Sequence, residues 1–146
     1  MKRVLLLLAC LAAACASQDA STKDSPVDIE VAQLSGPGDQ GFPPGLFQVE
    51  YAVTITNHTA NALTLERIDL EPMGGGGPYQ LRKESYPFHE TIAANESRDL
   101  PLFANAFTTG TYRSVDAYAP VSIRGIATFD SPNGKVRKIF VKVLRQ

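Results

Sequence analysis

The chain has 146 residues, 14 Lys and Arg against 15 Asp and Glu for a formal net charge of −1, 44% apolar residues and no tryptophan. That length suits one domain, and the charge balance gives no support to nucleic-acid binding, which depends on basic patches. Cys10 and Cys15 both precede Ser17, so the body of the chain has no thiol for a disulfide, a thiolate metal centre or a cysteine nucleophile, and its core alone must make it stable.

Met1-Lys2-Arg3 supplies a positive start, Val4 to Ala14 is apolar apart from Cys10, and small residues gather at its end, which is the organisation of an export signal. The run is shorter than the roughly 20 residues a membrane-spanning helix needs, and no later segment approaches that length. Ala12-Ala13-Ala14-Cys15 resembles the lipobox of bacterial lipoproteins. The resemblance implies a signal peptide over 1–14, diacylation of Cys15 and a membrane anchor at the new N-terminus. It also implies a cell-envelope address, with Ala16 after Cys15 favouring the outer membrane facing the periplasm. Leu7-Leu8-Ala9-Cys10 is a rival that would leave a very short apolar region, and Ala14-Cys15-Ala16 also fits ordinary cleavage after Ala16, which would secrete the protein freely. Acyl chains contribute about 0.8 kcal/mol per buried CH₂, so two or three hold a protein at a bilayer without a spanning helix. Loss of the leader removes Lys2 and Arg3 and takes the formal net charge from −1 to −3.

Ser17 to Asp28 is polar and aperiodic, so a flexible tether over 15–26 is expected to lead into a domain over 27–146. Val27, Ile29 and Val31 alternate with polar neighbours and mark a first strand ending near Leu34. The Gly/Pro-rich stretch Ser35 to Leu46 reads as a long crossover loop. Phe47, Val49, Tyr51, Val53 and Ile55 form the cleanest alternation in the chain, a half-buried strand. Asn57 to Asn61 is a cluster of turn formers, after which Leu63, Leu65, Ile68 and Leu70 mark a strand whose period slips between Leu65 and Ile68, predicting a β-bulge. Asn57-His58-Thr59 and Asn95-Glu96-Ser97 fit the glycosylation acceptor pattern, but with a bacterial-type leader the asparagines read as turn formers.

Gly74 to Gly77 reads as a loose connection, with no helix behind it to make a phosphate cradle. Tyr79, Leu81 and Tyr86-Pro87-Phe88 suggest a short irregular edge segment. A turn at Thr91 to Ser97 precedes a strand over Arg98 to Phe103, which Pro101 places at a sheet edge or at its own end. Ala104 to Ala119 reads as a long loop. Val121, Ile123, Ala127 and Phe129 mark a further strand with Gly125 at a bulge, and Asn133-Gly134 fits a type I′ hairpin turn into a last strand over Lys135 to Leu144. The expected fold is an immunoglobulin/fibronectin-like antiparallel β-sandwich of about seven strands, without the disulfide and tryptophan of antibody domains. The segments VTITNHTANALTLERIDL and TIAANESRDLPL resemble the strand-turn-strand pattern of lipoprotein-borne immunoglobulin-like domains and, more faintly, the water-stress sandwich, a likeness that brings no site residues with it.

Catalysis finds little to work with. His58 lies in a turn and His89 beside Glu90, and neither sits near a nucleophile elbow. Metal binding would lean on carboxylates such as Asp39 or Asp130, whose loops lack alternating acidic ligands. No cofactor is expected. Arg124, Lys135, Arg137, Lys138, Lys142 and Arg145 crowd the last hairpin while acids dominate the first half. If Ile139, Val141 and Val143 face the core, Lys138, Phe140, Lys142 and Leu144 share the outer face, either guarding an edge or forming a docking strip for an acidic partner or anionic surface. The reading is a non-enzymatic, membrane-tethered envelope module whose partners are the membrane, through its anchor, and an envelope protein. The alternative is a small-ligand or metal-binding accessory protein using the loops at 74–77 and 104–119.

Overall fold

A computed structural model describes residues 25–36, 45–73, 78–108 and 120–144. They form eight strands: β1 (Val27–Ser35), β2 (Leu46–Asn57), β3 (Leu63–Pro72), β4 (Tyr79–Leu81), β5 (Glu84–Ile92), β6 (Ser97–Thr108), β7 (Val121–Ser131) and β8 (Gly134–Leu144). Two four-stranded sheets, β1-β2-β6-β4 and β5-β3-β7-β8, have every neighbouring pair antiparallel. The chain changes sheet at every connection from β2 to β7, which makes an immunoglobulin/fibronectin-like sandwich. It also places the two most strongly patterned strands, β2 and β3, in opposite sheets rather than side by side.

The period of two fills the core. Val49, Tyr51, Val53 and Ile55 from β2 meet Leu63, Leu65, Ile68 and Leu70 from β3, all buried, and each such side chain contributes roughly 1.5–3 kcal/mol on leaving water. The odd spacing in β3 is resolved as expected. Glu66 is an extra residue against β7, where Leu65 pairs with Phe129 and Arg67 with Thr128, so Leu65 and Ile68 return to the same face.

Four readings change. The segment Ala104 to Thr108 continues β6 and is not loop, because Ala104 and Ala106 keep the inward register that Leu100 and Leu102 begin. Residues 79–92 make two strands in different sheets. Gly125 marks no bulge. β7 and β8 pair without a register shift, and a Cβ on Gly125 would lie 2.1 Å from Phe140 Cζ, so the glycine makes room for an aromatic ring laid across the strand. The hairpin turn is not type I′, since Asn133 lacks positive φ and Pro132 occupies the first corner. Pro132-Asn133 followed by Gly134 at φ 108° is a type I turn closed by a left-handed glycine.

Pro101 is accommodated as its chemistry requires. β4 covers only the last residues of β6, pairing Tyr79 with Thr108 and Leu81 with Ala106, and the other flank of Pro101 has no strand partner among the described residues.

Candidate functional site

The last hairpin was the sequence's candidate surface, and β8 lies the other way round from that reading. Phe140 is 5% exposed and Leu144 7%, whereas Ile139, Val141 and Val143 are each more than half exposed. Two physical causes fix this orientation. Gly125 opens a slot directly opposite Phe140 that only a ring on the inner face can fill. The lysines on that same face, Lys138 and Lys142, have stems long enough to leave the sandwich at its side. There they meet β1: Lys142 Nζ is 2.8 Å from Glu30 Oε1, and Lys138 Nζ is 3.9 Å from Asp28 Oδ1. The proposed strip of Lys138, Phe140, Lys142 and Leu144 therefore does not exist as an exposed face. Two members are core and two are partners of β1.

The charge asymmetry of the sequence is an internal arrangement. Besides the β1–β8 pairs, Lys135 meets Glu66 at 2.6 Å and Arg124 meets Glu71 at 2.9 Å across the outer face of the second sheet. Arg67 reaches Asp69 at 3.0 Å, and Ser85 also donates to that carboxylate. Burial alone would raise the Asp69 pKa, but these bonds outweigh it and hold the carboxyl below its ordinary value. Beyond exposed Arg137, the outward face of β8 is aliphatic: Ile139, Val141 and Val143 in a row, beside half-buried Ile126 on β7. Inward-pointing lysines guard the edge of β8, while its outward face from Ile139 onward is left apolar.

The opposite side of the sandwich is closed by a polar network. The Asn105 amide N–H donates to Tyr86 Oη at 3.1 Å, and the Tyr86 hydroxyl and Asn105 Nδ2 both donate to Glu84 Oε2, at 3.0 and 2.9 Å. Hydrogen bonds from Asn105 and Tyr86 hold Glu84 below its ordinary pKa, and burial raises that of Tyr86.

Two buried polar groups carry the rest of the specification, and neither was read from the sequence as more than a turn former or a core aromatic. Asn57 continues the inward register of β2 and has no exposed surface. Its Nδ2 donates to the carbonyl oxygens of Asn61, Ile92 and Ala93 at 2.8, 3.2 and 3.0 Å, and its Oδ1 accepts from the Thr59 N–H and hydroxyl at 2.9 and 2.7 Å. One side chain thus ties two turns together, with Nδ2 sealed from any glycosyl transfer. Deeper in the sandwich, Tyr51 and Tyr79 share a 2.8 Å hydrogen bond, and the Tyr79 hydroxyl donates to Gln33 Oε1 at 2.6 Å. Since the Tyr79 proton goes to Gln33, Tyr51 is the donor to Tyr79. Burial pushes the Tyr79 hydroxyl up to about 12 and that of Tyr51 further.

The sequence's chemical candidates are scattered. His58 Nε2 lies 2.9 Å from Asp28 Oδ2 in a solvent-exposed pair. His89 and Glu90 are consecutive on a strand and point to opposite faces, Glu90 towards Arg98 at 3.4 Å. Asp130 stands opposite Lys135 in the hairpin. Among the described residues no group of three or more His, Cys, Asp or Glu could hold a metal ion. Cys15, Asp39, the 74–77 glycines and residues 109–119 lie outside the described residues, and with them the anchor and most of both loops of the ligand-binding alternative.

No protein-family model matches the chain, and no curated protein does. Among solved structures, the chain is similar to Northeast Structural Genomics Consortium target SoR45, with TM-score 0.54, 17% identity, and 84% of this chain and 89% of that one covered. It is also similar to a protein from Archaeoglobus fulgidus, with TM-score 0.49, 7% identity, and 80% and 91% covered. The first likeness supports the sandwich, and neither bears on activity.

Proposed function

We propose that the protein is a non-enzymatic interaction module of the cell envelope, held by a lipid on Cys15 to the outer membrane facing the periplasm and docking a protein partner through β8. The observation that carries this reading is the aliphatic row Ile139, Val141 and Val143, each more than half exposed on a strand whose three lysines are already paired. Such a row gains nothing from the solvent, and covering each side chain is worth about 1 kcal/mol. The leader and the polar stretch before Ser25 support the tether, which leaves the body free to turn towards a partner.

The test is photo-crosslinking in living cells with the reactive group at Val141 of the full-length protein, read together with the mass of its N-terminal peptide. A discrete protein adduct from Val141, absent when the group sits at buried Phe140, and a lipidated Cys15 are the expected results. A lipidated protein that yields no adduct from Val141 would remove the docking role, and an unmodified Cys15 would remove the anchor.

A further inference from the structure

The outer face of the first sheet carries a second surface, chemically unlike β8. Leu34 and Leu46 are 60% and 63% exposed, Phe103 is half exposed and Phe107 more than a third. Register places them together. Leu46 pairs with Phe107 and Glu50 with Phe103, while Ser35 also pairs with Glu50, so Glu50 has Phe103 on one side and the bulge carrying Leu34 on the other. The charged residues at outward-facing positions of β1, β2, β6 and β4 are Asp28, Glu30, Glu50 and Asp99, with no lysine or arginine among them.

Asp28 and Glu30, at the β1 edge, are taken by the lysines of β8. Glu50 and Asp99 are held only by hydroxyls: Ser35 Oγ donates to Glu50 Oε2 at 3.2 Å and Thr54 Oγ1 to Asp99 Oδ1 at 2.6 Å. An acid framed by an aromatic ring and a leucine, with no cation paired to it and Arg82 set across β6 beside Asn105, matches a guanidinium or ammonium that can pair with the carboxylate while lying against the ring. An anionic bilayer would be repelled by the same face.

We infer that this face binds a basic-apolar protein segment, an arginine or lysine seated on Glu50 against Phe103 and an apolar neighbour on Leu46 and Phe107. Whatever precedes Ser25 leaves the sandwich at the other end, beside Asn57, roughly 25 Å along the strands from Leu34. This surface depends neither on the tether nor on β8.

The experiment titrates the full-length protein in detergent with two fluorescein-labelled hexapeptides, alternating Arg-Val and alternating Glu-Val. The Arg-Val peptide is expected to bind saturably and more weakly in high salt. Glu50→Gln and Phe103→Ala, both surface changes, should each weaken it about tenfold at unchanged melting temperature, and Val141→Ser should leave it alone. Equal binding of the Glu-Val peptide or unchanged affinity in Glu50→Gln would each overturn the inference. Because peptide affinity depends neither on the β8 row, as Val141→Ser checks, nor on the state of Cys15, its failure would be distinguishable from failure of the β8 proposal.

Discussion

The two ends of the sandwich use their residues in opposite ways. At the end where β2 runs into the 57–61 turn, polar groups are spent inward: Asn57 gives and accepts every hydrogen bond it can, the Asn57 N–H reaches Glu96 O at 2.9 Å, and the His58 N–H reaches Pro26 O at 3.0 Å. At the other end the buried polar content among the described residues is a chain, Tyr51 to Tyr79 to Gln33, that ends at a half-buried amide. There apolar side chains, Leu34, Leu46 and Phe107, are left facing water. Among the described residues, one end holds the fold and the other presents apolar surface.

The contrast is broken most severely at Asn57. Asn57→Ala removes a hydrogen bond from three carbonyls and from two Thr59 donors at a position with no exposed surface, and should cost at least about 3 kcal/mol in chemical denaturation. Midway between the ends, Gly125→Ala drives a methyl into the Phe140 ring, an overpacking cost of about 1–3 kcal/mol. Pairing it with Phe140→Leu should recover part of that loss in a double-mutant cycle, and strict additivity would mean the ring does not occupy the slot.

At the far end the expected effect is smaller. Tyr51→Phe removes one hydrogen bond and should cost about 1 kcal/mol. The same pair sets an alkaline limit: both phenols stay protonated in the folded protein at a pH where they ionise in the unfolded chain. The unfolded state then holds fewer protons, and stability falls as pH rises from about 10 towards 12. The midpoint of urea unfolding should drop over that window, with a shallower slope in Tyr51→Phe. Leu46→Ser, fully at the surface, should move stability by no more than about 0.5 kcal/mol. A larger loss would mean that this end is also structural.

The fold was legible because β2 and β3 obey strict periods, and even the bulge at Glu66 announced itself as a slip between Leu65 and Ile68. β8 was not, and the reason is instructive. Three β-branched residues in alternation, Ile139, Val141 and Val143, outweigh one Phe and one Leu set among lysines when a strand is read alone. The hairpin settles the matter. Val121 pairs with Leu144, Ile123 with Lys142 and Phe129 with Val136, so the inward face already legible on β7 dictates the inward face of β8. Asn57 was hidden differently, since turn formation and core burial call for the same residue and only the folded partners at Ile92 and Ala93 separate them.

The ion pairs between β1 and β8 have a kinetic corollary. Asp28 and Lys138 sit near opposite ends of the sequence, so their pairing closes almost the longest loop the described chain contains, and only after both sheets exist to present them. Contacts made that late are absent from the folding transition state. Lys142→Ala should therefore leave the refolding arm of a chevron where it is and move only the unfolding arm upward. The pairs are worth little at equilibrium, and their effect is on how long the first strand stays in place once the molecule has formed.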